Sequence, residues 1–136
     1  MSTDPADLGP VTARAEFATG MQLYNDGEFY EAHEQWEILW LAEDDDDPRL
    51  FLQGLIQLTS AFHKLFVQRH VQGAERLLDR ALGKLDRFPP SYLDVALGPL
   101  REGARACLSA MAELNRQSLG PEQFDRALVP RLVCVK

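Results

Sequence analysis

The run Phe29-Tyr30-Glu31-Ala32-His33-Glu34-Gln35-Trp36-Glu37-Ile38-Leu39-Trp40 brings chemistry and hydrophobic pattern onto the same few residues. At about 100° per residue, Phe29, His33, Trp36 and Trp40 fall in one narrow stripe, so the run reads as a helix that sets an imidazole among three large aromatics. Glu37 lies one turn after His33 and flanks the stripe. A buried polar pair of this kind needs hydrogen-bond partners, and the next segment able to supply them is Gln53-Gly54-Leu55-Ile56-Gln57, with His63 beyond it. The expectation is a polar centre of His33, Glu37, Gln53, Gln57 and His63 between the second and third helices, with both glutamines facing the interior.

Upstream, Ala13, Phe17, Met21 and Tyr24 recur at helical spacing and predict a first helix over Val11 to Asp26. Gly20 inside it suggests close approach of another helix, and Asn25-Asp26-Gly27 stops it. The second helix runs from about Glu28 to Ala42. Downstream, Asp47-Pro48 reads as an N-cap followed by proline at the first helical position. Phe51, Leu55, Leu58, Phe62 and Leu65 then give a third helix an apolar stripe wide enough to make it central. A fourth helix, about Val71 to Arg87, ends at Phe88-Pro89-Pro90. After a linker with a helical turn at Tyr92 to Ala96, a fifth helix carries Leu100, Ala104, Cys107, Met111 and Leu114. Gly120-Pro121 starts a short helical turn through Phe124, and no alternating strand run or hairpin turn competes.

The expected fold is therefore all-α: a single-domain antiparallel bundle of about five helices, built from two irregular helical hairpins plus a closing helix. Residues 1–10 are expected to be a polar, disordered tail, 11–128 the helical domain, and 129–136 a C-terminal tail, either docked as an extended segment or loose. At 136 residues the chain can bury a real core without disulfide or metal. The N-terminus has neither a basic nor an apolar signal region, no stretch is long and apolar enough to span a membrane, and Cys107 and Cys134 form no redox or metal-spaced pair. These features place the protein in the cytoplasm with two free thiols.

The net charge of −7 argues against nucleic acid and conceals an asymmetry. Residues 1–47 hold thirteen acids against one base, whereas residues 48–136 hold thirteen bases against eight acids. Either the halves attract each other within the fold, or each faces a different partner.

Taken together, Phe29, Ala32-His33-Glu34, Trp36-Glu37, Trp40 and Gln53-Gly54-Leu55-Ile56-Gln57 resemble the family catalogued as domain of unknown function 309, over roughly Phe17 to Leu85. The resemblance implies a small all-helical protein with the His-Glu and Gln-containing segments adjacent in space. It implies no activity, since the family has none assigned. A weaker likeness is to the tetratricopeptide helical hairpin, through Gly20, Gly27, Phe29, Ala32 and Trp36, echoed by Gly73-Ala74, Leu78 and Ala81. The two alanine positions are 42 residues apart rather than the usual ~34, which argues against a repeat array.

The chemistry-bearing candidates each have a bland reading. His33-Glu34 is similar to the start of a zinc-protease helix, but the residue four after His33 is Glu37, which removes that class. His33, Glu37 and His63 offer three mixed ligands that could hold a divalent metal with a position for water; the preferred reading is a core histidine bonded to a carboxylate, with no metal and no cofactor. Trp36 and Trp40 offer an aromatic surface or, on the preferred reading, packing. Arg76, Arg80, Lys84 and Arg87 form a basic stripe that suits an acidic partner or phosphates, set against a solvated surface salt-bridged to the interleaved Glu75, Asp79 and Asp86. The acidic run Glu43 to Asp47 lacks the glycine and spacing of a calcium loop and reads as solvated. No phosphate-cradling glycine loop, nucleophile motif or dinucleotide fingerprint is present.

The leading expectation is a non-enzymatic module that binds a protein or peptide, without membrane association and with homo-oligomerisation open. The competing one is a small enzyme or metal-binding protein using His33, Glu37 and His63.

Overall fold

The computed structural model describes residues 10–135; the tail expected over residues 1–10 lies, Pro10 apart, outside the described residues. Five α helices follow in chain order: α1 (Ala15–Asn25), α2 (Phe29–Ala42), α3 (Asp46–Phe66), α4 (Val71–Leu85) and α5 (Leu97–Arg116). Short connections reverse the chain at most junctions, and each helix packs chiefly on its sequence neighbours. The expected all-α bundle of five helices is what forms.

Helix α3 is central because it is apolar over more than one face: Phe51, Leu52, Leu55, Leu58, Ala61, Phe62 and Leu65 are all fully buried. It is covered by α2 on one side and by α4 on the other. A single hydrophobic cluster extends from Val11 to Leu132.

The α1–α2 junction is fixed by two glycines. Gly27, at φ 84°, supplies the left-handed residue of a Schellman cap in which the Glu28 N–H donates to the Leu23 carbonyl and the Gly27 N–H to that of Tyr24. At Gly20 the missing side chain makes room for Trp36, since a Cβ there would lie 2.3 Å from Trp36 Nε1. Trp36 is fully buried and its indole N–H donates to the Phe17 carbonyl at 3.2 Å, so no polar atom of the ring is stranded.

Three local expectations need correcting. The first helix does not begin at Val11: residues Val11–Ala13 make a 3-10 turn, Arg14 is extended, and α1 starts at Ala15. Helix α3 begins at Asp46, with Asp45 rather than Asp47 at the N-cap position and no side-chain capping bond. Pro48 is then third in the helix, where its missing N–H still costs nothing. The turn expected at Tyr92 to Ala96 is instead an antiparallel hairpin of β1 (Ser91–Tyr92) and β2 (Val95–Ala96), with Leu93 and Asp94 both at positive φ. That is the geometry of a primed turn, without the Asn-Gly or Asp-Gly signal that announces one.

The C-terminal segment is docked. Its backbone pairs with the β1–β2 hairpin through Ala96 N–H to Val133 O and Val135 N–H to Asp94 O, and Leu132 is buried. Asn25 holds Leu132 at both backbone groups, donating to its carbonyl and accepting from its N–H, each at 2.8 Å. The Tyr24 hydroxyl donates to the Pro130 carbonyl at 2.7 Å.

Candidate functional site

Helix α2 buries Phe29, Ala32, Trp36 and Leu39. At 100° per residue the centre of that stripe is about 60–80° round the helix from His33 and Trp40. His33 is therefore not enclosed by Phe29, Trp36 and Trp40. Its side chain is 27% exposed, its Nε2 stands 3.2 Å from Glu37 Oε2, and its ring meets Tyr30 edge-on. Centring the stripe on the aromatic residues overlooked Ala32 and Leu39, which complete the buried edge.

The glutamines do not serve this pair. Gln57 turns to α4, where its Oε1 accepts from Lys84 Nζ at 2.9 Å. Gln53, one turn earlier and half-buried, makes no side-chain hydrogen bond among the described residues, and neither glutamine bonds His33 or Glu37.

His63 comes near His33 from α3, with Tyr30 between the two and 5.4 Å, centroid to centroid, from the His63 ring. Tyr30, His33 and His63 line a cleft of about 230 Å³ between α2 and α3, together with Ser60 and Lys64. Glu37 is outside this lining. Among the described residues no three His, Cys, Asp or Glu side chains come together as a metal-ion site. The structure thus unites His33 with Glu37, and His33 with His63, but not the five-residue polar centre expected from the sequence.

The two tryptophans part company. Trp36 has no accessible surface, which removes it from the expected aromatic surface. Trp40 is half-buried and roofed by Arg49, whose guanidinium carbon lies 4.0 Å from the ring centroid. The same guanidinium donates to the Trp40 and Glu43 carbonyls, capping the end of α2 from the start of α3.

What α2 does present to solvent is a line the sequence reading did not single out. Tyr30, Ile38 and Leu41 are 48%, 52% and 68% exposed. Tyr30, Glu34, Ile38 and Leu41 share one flank of the helix, opposite the buried stripe, with Glu31 and Glu37 beside them. The signal was available as apolar residues at positions 30, 38 and 41, out of phase with the core.

Arg76 and Arg80 on α4, and Arg87 in the turn just beyond its end, are exposed and enter no ion pair among the described residues, while Lys84 is committed to Gln57. The interleaved acids do not pair with the stripe as expected. Asp86 is held by Arg101 and Arg105, and Glu75 accepts from Asn115 at 2.5 Å, all from α5. Cys107, on the buried face of α5, donates to the Leu128 carbonyl, and burial pushes its thiol up to about 12. That protonated, enclosed group has none of the character of a nucleophile.

Fold and site together define a small antiparallel helical protein with an acidic, apolar helix face and a donor-lined cleft beside it. Residues 17–77, from within α1 to the middle of α4, match the model of the family described as Domain of unknown function (DUF309). A search among curated proteins finds no match to the chain.

Proposed function

We propose that this protein is a non-enzymatic cytoplasmic module that binds a protein or peptide, and that its docking surface is the outer flank of α2. The observation that carries the reading is the exposure of Tyr30, Ile38 and Leu41 in one line, bordered by Glu31 and Glu34, neither of which enters an ion pair among the described residues. A basic segment with apolar residues at helical spacing complements such a face: the acids steer its approach and the apolar groups hold it. The charge concentration over residues 1–47 supports this choice, as does the DUF309 stretch containing all of α2. Two free thiols suit a reducing compartment, and among the described residues no helix is long and apolar enough to cross a membrane. The metal-site alternative has less support, because Glu37 and His63 do not close around His33 as a set of three.

A photoreactive phenylalanine analogue placed at Leu41 in the full chain, in its native cells, tests this. The expected result is a discrete cross-linked protein whose linked peptide is basic and amphipathic, absent when the analogue stands at Arg80 on α4. Equal labelling from both positions, or a linked peptide that is acidic, would contradict the proposal.

A further inference from the structure

We propose that the cleft between α2 and α3 binds a small anion, a ligand that presents a phosphate or carboxylate group on a compact apolar body. The site is separate from the outer flank of α2, although Tyr30 borders both.

The cleft is built from two sets of side chains, one on each helix, placed by helical spacing. Tyr30 and His33, three residues apart, share one side of α2, and Ser60, His63 and Lys64, at intervals of three and four, share one side of α3. Gln68 also lines the cleft, and Phe29 and Leu77 supply apolar wall. Every polar side chain in the lining can donate a hydrogen bond, and no carboxylate lines it. Among the described residues, the side chains of Tyr30, Ser60, His63, Lys64 and Gln68 make no hydrogen bond or ion pair, so five donors line the cleft uncommitted. His33 alone is engaged, through Glu37.

Near the end of α3, the carbonyls of His63 and Lys64 are themselves engaged. The His63 carbonyl already takes the N–H groups of Val67 and Gln68, and that of Lys64 takes the N–H of His70. The Lys64 stem is braced across the start of α4, where a Cβ on Gly73 would lie 2.5 Å from Lys64 Cε. A braced stem loses less rotamer freedom when its ammonium engages a ligand. The ammonium and the neutral donors together offer the charge-assisted bonds an oxyanion takes. At about 230 Å³ the space suits a ligand smaller than a drug-sized molecule.

Titrating the full chain with inorganic phosphate, phenyl phosphate, acetate and benzoate, read from the histidine ring signals by nuclear magnetic resonance, tests the proposal. The expected result is saturable shifts of the His33 and His63 signals, with the phenyl-bearing member of one pair at least about tenfold tighter than its bare anion. Whichever pair binds more tightly names the head group. Lys64→Met, which keeps the stem over Gly73, and His63→Gln should each weaken binding by about tenfold, while Arg80→Gln, which removes a charge elsewhere, leaves it unchanged. Non-saturating shifts for all four anions, equal weakening by Arg80→Gln, or saturation by zinc but by none of the anions would overturn it.

Discussion

Replacing Gly20 with alanine tests the contact that joins α1 to α2. In an isolated helix the change stabilises by about 1 kcal/mol, because alanine loses less backbone entropy than glycine. Here the new Cβ would lie 2.3 Å from Trp36 Nε1, 2.6 Å from Cδ1 and 2.8 Å from Cε2, so the indole must move. The ring is enclosed, with Phe17 at 5.9 Å and Tyr24 at 6.3 Å between centroids, and has no accessible surface to move into. Overpacking of this kind costs about 1–3 kcal/mol, and losing the Trp36 bond to the Phe17 carbonyl adds about 1 kcal/mol. Against the propensity gain, the net effect is a destabilisation of about 1–3 kcal/mol, which lowers the melting temperature by several degrees. Gly83 is the internal control: it is exposed, within α4, and a Cβ there meets nothing within 4 Å. Gly83→Ala should therefore stabilise by up to about 1 kcal/mol. Urea unfolding followed by circular dichroism and tryptophan fluorescence measures both. If Gly20→Ala stabilised as much as Gly83→Ala, the packing argument for Trp36 would fail.

Two further predictions concern His33 and Cys107. The His33–Glu37 pair is 27% and 44% exposed, so His33→Ala should cost less than about 1 kcal/mol, and the wild-type melting temperature should not move on adding chelator; a large loss, or a fall on chelation reversed by one equivalent of metal, would restore a buried or metal-bound histidine. Thiol titration of the folded protein should count Cys134 alone, with Cys107 added only on unfolding. Burial also pushes Tyr24 up, with the Cys107 charge as the second cause. The native state holds the Cys107 proton until about 12, whereas the unfolded thiol releases it near 9.0. In that window the unfolded chain binds fewer protons, so this contribution is fully present below about pH 9 and is lost as pH rises toward 12. Cys107→Ala should flatten the fall in urea midpoint over that range, and parallel wild-type and variant curves would refute the assignment.

The helices were legible because their apolar residues repeat at helical spacing and their ends carry recognisable punctuation, such as Gly27 after α1 and Phe88-Pro89-Pro90 after α4. The β1–β2 hairpin was not, because Leu93 has no local preference for positive φ and Asp94 alone is a weak turn signal. Pairing with Val133 and Val135, some forty residues away, supports the conformation. The polar centre was misplaced for a similar reason. Sequence spacing gave the angle between His33 and Trp36, but the side of α2 that would be buried depended on where α1 and α3 pack, which Ala32 and Leu39 reveal only once the neighbours are known. Gln57 went astray because Lys84, from a helix further along, reaches it first.

The outer flank of α2 is the central functional claim, and a designed ligand tests it most directly. A lysine-leucine amphipathic peptide, and a glutamate-leucine peptide of the same pattern, would be titrated into the isotope-labelled full chain and followed by amide shifts. The account predicts saturable shifts at Tyr30, Glu34, Ile38 and Leu41 with the basic peptide alone, weakened on adding salt as the acids are screened. The double variant Ile38→Ser with Leu41→Ser keeps every charge and should weaken binding by about tenfold or more. Shifts spread over the acidic surface and unchanged by that variant, or shifts on α4 instead, would contradict the claim.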